Sequence, residues 1–441
     1  MALSRALPIS YGKSLPKRSR AIDGKFPVYG SSGHVGFHSG ALTKGPSIIV
    51  GRKGAAGAVC YVNEPAWVID TAYFCEASDW CDLKFGAYLL HSLQLSQLDR
   101  STAIPSLGRD DYNAKLVRIP PKEQQVLIVS KIEELFSDLD AGIANLERAR
   151  EKLKRYRAAS LKSAVEGRLT EAWRKQHPPG AKSDSGPALL ARILKERRAK
   201  WEAAQREKFA KSEKPLPKDW QDKYSEPAAP DVSKLPVLPA TWCWAHVEQL
   251  AEIQSGIQKH PKRAPVKNAH PFLRVANVLR NQLRLDEIHK VELFDGELER
   301  LRLEDGDILI VEGNGSKSEI GRSAIWDGSI ENCVHQNHLI RVRMRHVLPA
   351  FFNLFWNSPY GTMQVGKVAA STSGLYTLST SKIASLVVPL PPLVEQQEII
   401  AQVDTALSSV DRSESEIKTA LTRATRLKQA VLKRAFEGRL V

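Results

Sequence analysis

Two stretches of the chain carry apolar residues at alternating spacings of three and four. One runs through Ile132, Leu135 and Leu139 and, seven places on, Leu146, Ala149, Leu153 and Tyr156; the other runs through Val403, Ala406 and Val410 and, seven places on, Ile417, Ala420, Ala424, Leu427 and Val431. That period is a coiled-coil seam. A proline pair, Pro120-Pro121 or Pro391-Pro392, blocks helix upstream of each stretch, and Gly167 or Gly438 stands where a C-terminal cap belongs. A helix of roughly 45 residues reaches about 65 Å, beyond one globular core, so its stripe needs a partner. The expected partner is the other copy, packed antiparallel within the chain; the alternatives are that each helix caps its own domain or pairs with another molecule.

The two stretches are copies. "IPPKEQQVLIV" (119–129) returns as "LPPLVEQQEII" (390–400), and at the same offset of 271 the "EGRL" of 166–169 returns at 437–440. The regions upstream are distant copies as well. "STAIPSLGRDDYNAKLVRIPP" (101–121) matches "TSGLYTLSTSKIASLVVPLPP" (372–392), and "SIIVGRKGAAGAVCYV" (47–62) parallels "DILIVEGNGSKSEIGRSAIW" (307–326). Each of the latter reads as strand, glycine-rich turn, strand. "ISYGKSLPKR" (9–18) corresponds to "IQSGIQKHPKR" (253–263) but has no counterpart to the preceding "LPATWCWAHVEQLAE", so the first region reads as clipped.

Between the copies an amphipathic run, "PALLARILKERRAKWEAAQREKFAK", precedes a proline-rich one, "PLPKDWQDKYSEPAAPDVSKLPVLP", as a helix and a semi-rigid linker would. The predicted division is a globular domain over 1–119, a long helix over 120–170, helix and linker over 171–240, a second globular domain over 241–390, and a second long helix over 391–441. The fold class is α+β: two mixed α/β domains joined by two long helices in an antiparallel coiled coil.

Sixty-four Lys and Arg against 49 Asp and Glu leave a formal charge of +15, which favours a polyanionic partner. Nucleic acid is the first candidate, and basic helices facing water are the bland alternative. No run of eighteen apolar residues occurs and the N-terminus lacks a secretory pattern, so no membrane association and a cytoplasmic location are expected. The five cysteines lack metal-site spacing and suit reduced structural thiols.

At this point the chain resembles the specificity subunit of a type I restriction-modification system. The resemblance rests on the "PP…EQQ" helix entries, the "EGRL" ends, "WRKQHP" and "WQDKYSEPAAP" in the linker, "FPVYGSSGHVGFHSG" (26–40) and "ILIVEGNGSKSEIGR" (308–322), and covers nearly the full length. It implies two target-recognition domains, each reading half of a split double-stranded DNA sequence, with helices that set their distance and dock modification subunits, two of them expected. It also implies no cofactor and no catalysis in this chain. Modification subunits methylate adenine with S-adenosylmethionine, while restriction subunits use ATP and Mg to translocate and cut DNA.

Candidate contacts follow from the residues themselves. The clusters Lys13, Lys17, Arg18 and Lys259, Lys262, Arg263 occupy equivalent places in the two copies and suit DNA phosphates; a solvated face has no need to repeat. Arg52 and Lys53 at a hairpin tip are further phosphate candidates against a solvated turn. In "GNGSKSEIGR", Asn314, Lys317, Ser318 and Arg322 offer polar reach beside glycines that allow close approach. Gln336 or Asn337 would suit an adenine edge, or equally a strand-end hydrogen bond.

Other motifs argue against chemistry in the chain. "WNSPYG" (356–361) is a near miss for the Asn-Pro-Pro-Tyr motif of amino-methyltransferases and reads as the end of an aromatic helix, since no cofactor loop accompanies it. His34 and His38 are four apart among glycines, a poor metal pair. The competing readings are a self-contained DNA methyltransferase or nuclease, which the missing cofactor loop disfavours, and a purely structural coiled coil, which two diverged domains on similar helices disfavour.

Overall fold

Both proline pairs end an extended segment, and the chain turns helical at the next residues. The first long helix is Lys122–Val165 and the second Leu393–Phe436, 44 residues each, with Gly142 accommodated inside the first. Gly167 and Gly438 lie just beyond with φ of 72° and 73°, the left-handed conformation of a helix C-cap. The computed structural model describes residues 1–99, 104–178, 185–212, 215–316, 319–372 and 374–440. They divide into two compact units, residues 1–150 with 414–441 and residues 151–413, so each unit holds a segment of both helices.

Within each unit the helical segments run antiparallel. In the first unit Ile132 packs with Leu432 and Ala435, and Asp140 pairs with Lys428. In the second, Arg157 pairs with Asp411, while Ala164 and Val165 share a core with Ile399 and Val403. The residue numbers of the two ion pairs, Asp140 with Lys428 and Arg157 with Asp411, each add to 568. Tyr156, expected in the seam, is half exposed, and its neighbour Arg157 meets the opposing helix instead. Small residues thin the seam of the first unit, where Leu139, Ile143 and Leu146 face Ala424 and Leu427 across an open groove of about 440 Å³.

The two units share one sheet plan. In the first, a four-stranded sheet has the spatial order Ser10–Tyr11, Ala72–Cys75, Ser47–Gly51, Val59–Val62; in the second the order is Ala251–Ser255, Leu339–Met344, Ile308–Val311, Ser323–Ile325. All neighbours are antiparallel. A smaller sheet flanks each, with one antiparallel and one parallel pairing about Phe26–Gly30 in the first unit and about Ala269–Leu273 in the second. The α+β architecture expected from the sequence is therefore present, including the strand, turn, strand segments.

The unbroken apolar runs "SIIV" and "ILIV" form central strands because both faces are covered. Ile48 and Val50 pack against the helix Leu83–Ser92, and Ile49 lies in a separate core on the other face. Ile308 and Ile310 likewise pack with Phe351, Phe352 and Phe355 of the helix Pro349–Trp356, while Leu309 and Val311 enter a second core around Trp326.

The first unit does have a counterpart to part of "LPATWCWAHVEQLAE". The short helix Leu3–Ala6 stands where Val247–Leu250 stands in the second unit, and the bridge between Ala2 and Leu116 takes the place of the strand pair Cys243–His246 with Val387–Leu390. "LSRA" and "VEQL" have nothing in common that a sequence comparison could align.

In the second unit Glu395, nearly fully buried, gathers the segments that follow the first long helix. It accepts hydrogen bonds from Thr170 Oγ1 and Trp242 Nε1, both at 2.7 Å, and pairs with Arg174, which also donates to the Gly167 carbonyl. The helix Gly186–Lys211 follows, capped by Ser185. The proline-rich run is folded back on it: Trp220 stacks on Trp201, and Arg198 and Arg206 cover the rings of Tyr224 and Trp220.

Candidate nucleic-acid interface

Each four-stranded sheet ends in loops that gather the sequence candidates. In the first unit Gly12 follows one strand and lies so close to the parallel edge that an added Cβ would sit 2.1 Å from the Ile69 carbonyl oxygen. Gly256 has the same reason to be glycine in the second unit, where a Cβ would sit 2.1 Å from the His335 carbonyl oxygen. From these glycines each chain enters a basic loop with a single 3-10 turn, Lys17–Ser19 in one and Pro261–Arg263 in the other. Lys13, Lys17 and Arg18 are exposed, as are Lys259 and Lys262.

Arg263 differs. Its guanidinium makes a two-pronged ion pair with Glu297, 2.8 Å on each prong, and lies 4.4 Å from the Phe294 ring centroid. That fork holds the Glu297 carboxyl at about 2, well below the ordinary carboxylate range. Arg263 is thus turned inward, which corrects the expectation that it reaches a phosphate. In the first unit Arg20, two places beyond Arg18, is turned inward in a similar way and donates from Nε and Nη2 to the Leu15 carbonyl at 3.0 and 2.7 Å.

The hairpin loops meet the same end of each sheet. Arg52 is half-buried and donates to the Asp70 carbonyl at 3.0 Å, with its guanidinium 5.3 Å from the Tyr11 ring; Lys53 next to it is exposed. In the second unit Asn314 closes a turn by accepting from the Ser316 N–H at 2.8 Å, and its backbone joins the short pairing of Gly313–Asn314 with Leu375–Thr377. Lys317 and Ser318 lie outside the described residues. Arg322 is the second correction: it donates to the Val278 and Val275 carbonyls at 2.7 and 3.1 Å, so it ties the hairpin to its own domain.

Gln336 and Asn337 follow the strand Val334–His335. Their backbones donate to Leu273 and Ile257 at 2.9 Å, and both residues are half-buried at the rim beside Asn314 and the glycine loop. His338, exposed and 3.0 Å from Glu312, joins the same rim. In the first unit Tyr11, 46% exposed, is covered by both Arg52 and Arg109 at 5.3 and 5.4 Å. Sequence reasoning missed Tyr11, Arg109 and His338; an aromatic residue one place before the repeated glycine was the available signal.

The remaining motifs are used up by packing. Asn357 of "WNSPYG" donates to Asn353, Asn281 and Ser323, and Ser358 caps a second helix, Pro359–Val368, so the aromatic helix ends at Trp356. His34 packs edge-on against Tyr29 and Phe37, and His38 against Trp67. Among the described residues no group of three His, Cys, Asp or Glu side chains could hold a metal, and no helix is long and apolar enough to cross a membrane.

Comparison with known proteins agrees with this construction. Residues 7–148 match the type I restriction modification DNA specificity domain. The chain is 26% identical over 410 residues to the type I restriction enzyme EcoKI specificity subunit of Escherichia coli K12, covering 91% of this chain and 74% of that protein. It is 24% identical over 412 residues to the StySPI specificity subunit of Salmonella potsdam, with the same coverage. A solved chain described under complex assembly and conformational transition of the type I R-M system shares the fold, with a TM-score of 0.57, 16% identity, and coverage of 100% of this chain and 97% of the other. With its duplicated sheet plan and its two long helices, the chain is similar along nine-tenths of its length to specificity subunits of type I restriction enzymes, and its residues 7–148 match their DNA specificity domain.

Proposed function

We propose that this chain is the non-catalytic DNA-reading subunit of a type I restriction-modification complex. Each unit reads one half of a bipartite site through the loops at the end of its four-stranded sheet. The paired long helices set the distance between the halves and dock modification subunits, and S-adenosylmethionine, ATP and Mg serve the partner subunits. The observation that carries the reading is the repeated construction itself. The same sheets, the same close-packed glycines and the same basic turns recur in both units, while the side chains on the rims differ: Tyr11 and Arg52 in one, Ser255 and Asn314 in the other. A shared frame with different rims is what two different half-sites require, because phosphate contacts position and base-edge contacts specify.

The test is methylome sequencing of cells with and without the gene, followed by exchange of residues 241–390 for the corresponding region of a relative. The expected result is a gene-dependent methylated motif of two short blocks, of which the exchange alters one. A contiguous motif, or an exchange that alters both blocks, would overturn the proposal.

A further inference from the structure

The basic loop of the second unit is held by two acidic residues bonded to its own backbone and to Arg263. Glu292 accepts from the backbone N–H groups of Val266, Lys267 and Asn268 at 2.7, 3.1 and 2.7 Å. Those donors hold its carboxyl below the ordinary range. Glu297 takes the Arg263 fork and also accepts from the Phe294 N–H at 2.9 Å. His260 Nδ1 accepts from the Lys262 N–H at 3.2 Å and shapes the turn. Lys259, Lys262 and Lys267 are left exposed, with no ion-pair partner among the described residues. The loop thus spends two carboxylates on its own backbone and on one arginine, and none on the lysines.

We propose that Glu292, Glu297 and Arg263 are positioning residues that preset the 258–268 loop for the DNA backbone, with Lys259, Lys262 and Lys267 as the phosphate contacts. The inference rests on the DNA-reading function proposed above. A loop already ordered when DNA arrives does not spend binding energy on fixing its backbone. Lys267 enters through this geometry, because two of its neighbours' N–H groups and its own are fixed by Glu292.

Removing a carboxylate separates this role from plain electrostatics. Loss of a negative charge beside DNA strengthens binding when charge alone matters; loss of a brace weakens it. The experiment is binding of the full chain to a labelled mixed-sequence duplex over a range of salt concentrations, for Glu292→Gln, Glu297→Gln and the triple change of Lys259, Lys262 and Lys267 to Ala. Glu→Gln variants are expected to bind roughly tenfold more weakly at every salt concentration, from loop ordering alone, with the slope of log K against log salt unchanged. The triple variant is expected to lose slope, by about 0.9 for each phosphate released. Glu→Gln variants that bind as tightly as the parent or more tightly overturn the brace, while leaving the DNA-reading function intact. A triple variant with unchanged affinity and slope overturns the placement of DNA on this loop. If Glu292→Gln does not fold, Arg263→Lys decides the matter: it keeps the charge but not the fork, and must show the same loss of affinity at constant slope.

Discussion

Gln125 and Gln396, 271 positions apart, do the same work in the two units. Both are fully buried. Gln125 donates to the Pro120 and Trp80 carbonyls at 2.8 and 2.9 Å and accepts from the Asp82 N–H at 2.7 Å. Gln396 donates to the Pro391 carbonyl at 3.0 Å and accepts from the Leu348 N–H at 2.9 Å. Asp82 and Leu348 are the N-cap residues of the equivalent core helices, so each glutamine ties the start of a long helix to the start of the helix that packs on the sheet. The repeated letters "EQQ" conceal a shift of one place. Counted from the prolines, the second glutamine of the first copy matches the first glutamine of the second copy.

Replacing Gln396 by Leu strands a buried N–H and a buried carbonyl. The expected cost is about 2–4 kcal/mol of stability, read from urea unfolding, since each unsatisfied group costs about 1–3 kcal/mol. Gln125→Leu is expected to behave alike. Gln124, identical in the letter pattern but exposed, is expected to tolerate Ala within about 0.5 kcal/mol; a large cost at Gln124 would show that the shift has been misread.

The long helices were legible because their signals are local: prolines before, glycine after, and a seam between. The close-packed glycines were legible as repeated letters, though their reason, a neighbouring carbonyl 2.1 Å from a Cβ, needs the fold. The direction of the arginines was not legible. Arg263 and Lys262 look interchangeable in "HPKR", and only Glu297, 34 residues on, turns one of them inward. Arg322 is decided in the same way by carbonyls more than 40 residues earlier. Side-chain direction in a loop is set by partners distant in sequence, which a single chain of letters does not mark.

His335 makes the second unit sensitive to acid. Burial, and then the nearby charges of Arg341, Arg343 and Arg300, push its imidazole from the ordinary 6.5 to about 3. The folded state therefore keeps it neutral, while the unfolded chain takes up a proton below pH 6.5. Its contribution is fully present above 6.5 and is lost as pH falls towards 3, at about 1.4 kcal/mol per pH unit. Urea midpoints measured at pH 7 and pH 5 are expected to fall accordingly, and His335→Leu is expected to flatten the difference. An equal pH dependence in that variant would assign the effect to other groups.

Cations at equivalent places in the two units are expected to separate by direction. Lys17→Ala and Lys262→Ala, both at exposed turn positions, are expected to lower the salt slope of DNA binding by about 0.9 each without changing the preferred sequence. Arg322→Ala is expected to leave the slope unchanged and lower the unfolding midpoint instead, because its guanidinium satisfies two carbonyls of its own domain. A slope change at Arg322 equal to that at Lys262 would mean that its inward geometry does not persist on DNA.

If the paired helices act as a ruler, their shared register dictates how the ruler can be lengthened. Leu146 faces Ala424 and Leu427 in the first unit, so an insertion in one helix alone throws the seam beyond it out of step. Seven residues keep the period of three and four. Inserting seven after Leu146 and seven after Leu421 lengthens both helices by about 10 Å, at 1.5 Å per residue. B-DNA rises about 3.4 Å per base pair, so the tolerated spacer between the two blocks is expected to grow by about three base pairs, with both blocks unchanged, in methylation assays on a spacer series. Insertion in one helix alone is expected to abolish methylation or lower stability without yielding a new spacer. A spacer preference indifferent to the paired insertion would show that the helices pack the units and do not measure the DNA.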